Sequence, residues 1–295
     1  MKPREKPGLS GEAMMRTWAI ALVLGVVSVL SAILIKAKGP AVHAEEQVRL
    51  PTVDVVARAE WEQLSRSRIY FGHQSVGHNL IEGLRDILRE HLEIRLNIVE
   101  TDSPGTIEGP LFAHSRVGKN RDPKSKIDAF SGIMDRGTGT ALNIAFLKFC
   151  YVDVVSATDI SELFSAYSEA LSRLRAKFPH TTFVHVTIPL TTIEKGPKVG
   201  LKRLLGRPLR DYDDNVKRNQ FNEMLRKEFA GKDPLFDLAA VEATALDGKR
   251  MTFKHRGMPF HALLPEYTDN GAHLNTRGRR VAAEQLLILL AGLAR

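Results

Sequence analysis

Ser75, His273 and Asp269 are the residues of this chain whose types and settings best suit chemistry. Ser75 sits in Arg68-Ile69-Tyr70-Phe71-Gly72-His73-Gln74-Ser75-Val76-Gly77-His78-Asn79. That stretch reads as a short strand, a tight turn and the start of an amphipathic helix. A serine there has its hydroxyl at the mouth of a sheet and its N–H at a helix N-terminus. The partial positive charge and unpaired donors of a helix end suit a developing oxyanion. Far along the chain, Tyr267-Thr268-Asp269-Asn270-Gly271-Ala272-His273-Leu274-Asn275 places an acid and a histidine just before another helix.

These types make a nucleophilic set. A serine hydroxyl is a weak nucleophile at neutral pH and needs a base beside it. Histidine fits because it titrates near working pH. A carboxylate then selects the ring tautomer and stabilises the charged form. On this reading Ser75 attacks, His273 takes its proton and Asp269 orients His273.

The elements that must position them follow from periodicity. Leu80, Ile81, Leu84, Ile87 and Leu88 form one helical stripe over 77–91. Strands are expected at 68–71, 94–100, 142–155, 183–188 and 235–238, and helices at 57–65, 124–134, 161–178, 215–229 and 276–293. Residues 101–121, with three Gly and two Pro, read as a loop, and 191–214 as an irregular basic insert. Alternation of this kind implies α/β architecture, a central parallel sheet covered on both faces. Ligands of such sheets sit beyond the carboxyl ends of the strands. The turn at 73–75, the loop at 118–120, the segment after Phe149 and the loop at 269–273 are expected to meet there.

With these motifs in place the chain resembles the SGNH/GDSL hydrolases, α/β serine esterases and acyltransferases of flavodoxin-like three-layer fold. Asp269-Asn270-Gly271-Ala272-His273-Leu274-Asn275-Thr276-Arg277-Gly278 follows the family's last motif, and the likeness spans roughly 67–293. It implies an oxyanion hole built from the Ser75 N–H, the Gly118 N–H and a side-chain amide, for which Asn120 is the candidate. Three departures stand out. His73-Gln74-Ser75 replaces the usual Gly-Asp-Ser. Asp269 lies four residues before His273, where the family has three, and Asn270 holds the usual place. Phe149-Cys150-Tyr151-Val152-Asp153 replaces the block that carries the family's asparagine. His73, Asn79 and Asp153 are the candidate substrate contacts.

Composition narrows the rest. The chain has 295 residues, 43% of them hydrophobic, and a net charge of +8. The basic surplus is diffuse and lacks any nucleic-acid motif, so no nucleic-acid partner is expected. Cys150, the single cysteine, stands in an apolar run and reads as a core thiol. No pair of histidines has the helical spacing with an intervening acid that a zinc hydrolase shows, and no metal or cofactor is expected. Lys2, Arg4, Lys6 and Arg16 precede an apolar run from Trp18 to Ile35. This suits a membrane anchor, or a signal peptide cut after Ala44, with the remainder outside the cytoplasm, periplasmic or secreted. Residues 1–50 are therefore read as anchor and linker, and 51–295 as one hydrolase-like domain. Three functions stay open: hydrolysis of acyl esters such as O-acetyl groups, acyl transfer to an envelope polysaccharide, and glycan or partner binding without catalysis. The partner in each is an acylated small molecule or glycan.

Overall fold

Strict alternation builds the sheet. Ile69 and Phe71 enter one hydrophobic cluster while Tyr70 enters another on the opposite face. Ile144 and Phe146 again face one side, Ala145 and Leu147 the other. Side chains of successive strand residues point to opposite faces, so a strand buried on both sides reads as a continuous apolar run.

In the computed structural model, which describes residues 49–193 and 210–294, the elements run α1 (Arg58–Leu64), β1 (Arg68–His73), α2 (Val76–Glu90), β2 (Ile98–Glu100), β3 (Leu111–Arg116), α3 (Pro123–Ile133), β4 (Ile144–Leu147), α4 (Ile160–Lys177), β5 (Thr182–Val186), α5 (Arg210–Phe229), β6 (Leu235–Phe236), α6 (Leu238–Ala243), β7 (Thr252–His255), β8 (Met258–His261) and α7 (Thr276–Leu293). The main sheet has the order β2-β3-β1-β4-β5-β6, and every pairing in it is parallel. Residues of α1, α2, α6 and α7 pack in the cluster on one face, and residues of α3, α4 and α5 in the cluster on the other. This is an α/β three-layer sandwich. The chain leaves β1 toward β2 and β3, then crosses back to β4 on the other side of β1. The order reverses at β1, and such reversals open a crevice beyond the strand ends.

Two expectations change, and one stretch gains elements that none foresaw. Residues 101–121 are not all loop, since β3 lies within them next to β1. Its His114 and Ser115 hide its character: both are buried, bonded to His73 and Tyr70. The strand expected over 142–155 ends at Leu147, and a short 3-10 turn, Tyr151–Asp153, follows. Helix α6 and the β7–β8 hairpin fall in a stretch with no strong periodicity.

The chain divides into two units, Met1–Glu46 and Gln47–Arg295, and the architecture above belongs to the second. The expected anchor and most of the basic insert lie outside the described residues. Among the described residues no helix is long and apolar enough to cross a membrane.

Candidate active site

Ser75 stands between β1 and α2 in a backbone conformation that side-chain-bearing residues rarely adopt, with φ 32° and ψ −96°. Such strain persists only where the surroundings impose it, and it gathers at functional sites. The turn is closed by the Gly77 N–H donating to Gln74 O at 2.7 Å and the His78 N–H to Ser75 O at 2.8 Å. A serine at a helix N-cap ordinarily accepts a backbone hydrogen bond with its oxygen. Ser75 makes no such cap. Its Oγ lies 2.6 Å from His273 Nε2, across 198 positions of sequence. Among the described residues no hydrogen bond engages the Ser75 N–H.

The histidine loop is anchored at both ends. Thr268 and Leu274 form an isolated antiparallel bridge. The Leu274 N–H donates to Asn79 Oδ1 at 3.3 Å, and the Thr192 N–H to Gly271 O at 2.8 Å. Asn79 thus ties α2 to the loop that carries His273. The Tyr151 ring stands edge-on to the imidazole, with centroids 5.6 Å apart and planes at 81°.

The group beside His273 Nδ1 is Asn270, with Nδ2 at 3.1 Å. Asn270 Oδ1 accepts from the N–H groups of Ala272 (3.1 Å) and His273 (2.9 Å). Those two donors fix which end of the amide faces the ring. An amide NH2 only donates, so Nδ1 must accept and a neutral imidazole carries its proton on Nε2. Asp269 is placed elsewhere: its Oδ1 accepts from Asn275 Nδ2 at 3.2 Å. Asn275 in turn caps α7 through Gly278 N. The one-residue offset from the usual spacing points the acid at the helix cap and puts an amide at the ring.

The β3–α3 loop is drawn to the same corner. The Val117 N–H donates to His73 O at 3.0 Å. Gln74 Nε2 donates to Val117 O and Gly118 O, at 3.2 and 3.0 Å. Gly118 has φ 58°, and a Cβ there would sit 2.5 Å from the backbone of Lys126. Only glycine lets the loop lie against α3 in that conformation. Among the described residues no hydrogen bond engages the Gly118 N–H. Asn120 Oδ1 accepts from Lys126 Nζ at 3.0 Å, which leaves its NH2 group without a partner among the described residues.

Two candidate substrate contacts turn out to be structural. Asp153 has 3% of its surface exposed. Its carboxylate accepts from Cys150 N (2.6 Å) and Arg121 N (2.9 Å) and pairs with the fully buried Lys126 ammonium. It therefore joins the β3–α3 loop to the turn after β4, and its oxygens are already engaged. Removing one partner of a buried pair is far costlier than the pair is stabilising. His73 is 2% exposed and lies beneath the turn. Its Nε2 is 3.1 Å from His114 Nδ1, while His73 Nδ1 and His114 Nε2 have no partner among the described residues. Sequence reasoning passes over Gln74, Tyr151 and Lys126 as site-shaping residues. The only signal for them is their place in segments expected at the sheet edge. Cys150 is a buried free thiol, and the described residues hold no cluster able to bind a metal ion.

Burial pushes the His73 ring down to about 2, helped by His114 and Lys148 nearby. It is neutral in the fold, while an unfolded histidine titrates near 6.5. Its contribution to stability is present above about pH 6.5 and is lost progressively as pH falls from there toward 2. Glu242 works in the other direction. Burial raises it to about 8, so its contribution is fully present below about pH 4.5 and is lost progressively as pH rises from there to 8. Urea unfolding between pH 4 and 6.5 should therefore take up one proton fewer in His73→Gln than in the wild type. That flattens the stability slope by about 1.4 kcal/mol per pH unit. Equal slopes would show that His73 is protonated in the fold.

No family model matches the chain, and no curated protein matches it. Solved structures that the chain matches include a candidate platelet activating factor from Streptococcus pneumoniae, 15% identical, covering 90% of this chain and 99% of that one, TM-score 0.44. A candidate SGNH hydrolase from Slackia heliotrinireducens is 14% identical, over 76% of this chain and 98% of that one, TM-score 0.40. The salicylyl-acyltransferase SsfX3 of a tetracycline biosynthetic pathway is 12% identical, over 75% of this chain and 53% of that one, TM-score 0.33. At these identities and scores the side-chain geometry must carry the function.

Proposed function

We propose that the protein is a serine ester hydrolase or acyltransferase working through Ser75 and His273. One observation carries this reading: the 2.6 Å contact of Ser75 Oγ with His273 Nε2, at a strained turn on a helix N-terminus. For attack, His273 must present a bare Nε2, with its proton on Nδ1. Ser75 Oγ then bonds to the ester carbonyl carbon as Nε2 takes the hydroxyl proton. The carbonyl oxygen becomes negative and receives the N–H groups of Ser75 and Gly118, with the Asn120 amide as a third donor. Collapse expels the alcohol, which takes the proton from Nε2, and leaves an acyl-enzyme. Water or a second alcohol releases the acyl group by the reverse sequence. Water makes the protein a hydrolase, and a sugar hydroxyl makes it an O-acyltransferase. The apolar run from Trp18 to Ile35 supports a site outside the cytoplasm, tethered to the membrane or released from it.

A second reading, binding without catalysis, is favoured by Asn270 standing where a carboxylate would orient the ring. A fluorophosphonate probe separates the two. Covalent mass on the peptide containing Ser75, absent in Ser75→Ala, is the result expected of the enzyme. An unlabelled, folded wild-type protein would leave only the binding reading.

A further inference from the structure

The β7–β8 hairpin carries charge of one sign. Between Arg250 and His261 stand three cations, Arg250, Lys254 and Arg256, with two histidines and no acid. The two-residue tip is Arg256-Gly257. Both tip residues have positive φ, 50° and 82°. That is the backbone of a tight hairpin turn, whose first place ordinarily goes to Asn, Asp or Gly. Here it holds an arginine, despite the strain a side chain meets there. Lys254, Arg256, Met258 and Pro259 are exposed, Met258 over 56% of its surface. Neither Lys254 nor Arg256 forms an ion pair among the described residues.

Contacts at its base hold the hairpin in place. Phe253 lies opposite Phe260 and His255 opposite Met258, so the four share one face. The Tyr212 ring, at the start of α5, packs on Phe253 and His255 with centroids 4.8 and 5.5 Å away, and its hydroxyl donates to Lys254 O. Asn219 donates to His261 O and accepts from the His261 N–H. A two-stranded hairpin alone is marginal in water, and this bracing fixes where the tip stands. Asp211 and Asp213 flank Tyr212. The side toward α5 is therefore of mixed charge, and the tip is the part with one sign.

The edges of the hairpin are unsuited to pairing with another strand. Pro259 lacks an N–H, and Lys254 puts a charge on the other strand, two devices that keep sheet edges from pairing. A soluble polyanion would meet Lys254 and Arg256 but give Met258 nothing to bury against. A lipid surface uses all three, because anionic headgroups attract the cations and the acyl boundary takes the thioether side chain. We propose that the tip of the β7–β8 hairpin docks on an anionic membrane leaflet through Lys254, Arg256 and Met258. The apolar run from Trp18 to Ile35 supports a chain that works beside such a surface. The proposal is independent of catalysis at Ser75.

The test uses the full chain with an environment-sensitive nitrobenzoxadiazole label on Met258→Cys. The protein is reconstituted into vesicles of phosphatidylcholine alone, or of phosphatidylcholine mixed with phosphatidylglycerol. Cys150 is buried and stays unlabelled. Insertion of the apolar run is common to both vesicles, so their difference reads the hairpin. Emission should shift to the blue only where phosphatidylglycerol is present. Lys254→Gln should lower the docked-to-free ratio about fivefold, as loss of one cation near an anionic surface does, and Lys254→Glu with Arg256→Glu should abolish the shift. All these positions are exposed, so the substitutions should leave the fold intact. A label on Leu92→Cys, an exposed apolar position outside the hairpin, should not respond. Absence of the shift, a shift equal in the two vesicles or at Leu92, or one kept in the double variant overturns the proposal. So does a larger shift with dextran sulfate in solution, which would assign the tip to a soluble polyanion.

Discussion

Asn270→Asp is expected to raise kcat for ester hydrolysis by about 10²-fold. The amide now faces Nδ1 with its NH2, because two backbone N–H groups engage its oxygen. This arrangement holds the imidazole with its proton on Nε2, where a general base must be bare. The reactive tautomer sets an N–H against an N–H at 3.1 Å and is populated only at a cost. A carboxylate can still accept from Ala272 and His273 with one oxygen while the other accepts Nδ1–H. It also stabilises the imidazolium formed as Ser75 attacks. Exchanging acid for amide in a Ser-His-Asp triad costs about 10⁴-fold in kcat, which bounds the gain. Steady-state hydrolysis of p-nitrophenyl acetate measures it. ¹⁵N spectra of the His273 ring should show the proton moving from Nε2 to Nδ1. Asp269→Asn is the control and should change kcat less than about threefold, since Asp269 contacts the helix cap. A rate left untouched by Asn270→Asp, or lost in Asp269→Asn, contradicts this account.

The largest effect on stability is expected at Gly77. A Cβ there would lie 2.3 Å from His73 Cβ and 2.5 Å from its Cγ. His73 is buried at the end of β1 and pinned by Val117 N and His114. The Cβ of a pinned residue cannot swing aside as a long side chain could, so α2 must back away from the sheet. Overpacking usually costs about 1–3 kcal/mol and occasionally more, and this overlap puts Gly77→Ala at about 3 kcal/mol. Urea unfolding should show stability falling by that amount. Because Ser75 lies between the displaced elements, fluorophosphonate labelling should fall in the protein that remains folded. Gly292, in α7, is the control, because an added methyl group there would meet nothing within 4 Å. Gly292→Ala should stabilise by up to about 1 kcal/mol, as alanine does in a helix. Equal and small effects at both positions would show that the turn tolerates a shift of α2.

Local pattern and short-range spacing are enough for much of the fold. The apolar stripe of α2, the alternation in β1 and β5 and the Asn275 cap of α7 each depend on residues within a few positions of one another, and such periodicities are visible in one dimension. Ser75 and His273 are legible for the same reason, because a strand–turn–helix and a loop before a cap are local objects. β3 is not, since His114 and Ser115 are made tolerable only by His73 and Tyr70 on the neighbouring strand. The identity of the group at Nδ1 also escapes the sequence. Asp269 and Asn270 are adjacent, and which one meets the ring depends on where Thr192, Asn79 and Asn275 pin the loop. Likewise, whether Asp153 faces substrate or a buried lysine is settled by Lys126 arriving from a helix that follows a different strand. Residue type and order determined which chemistry this chain could attempt. Contacts between segments far apart in sequence decided which side chains are free to attempt it, because a hydrogen bond already made in the fold withdraws a group from the site.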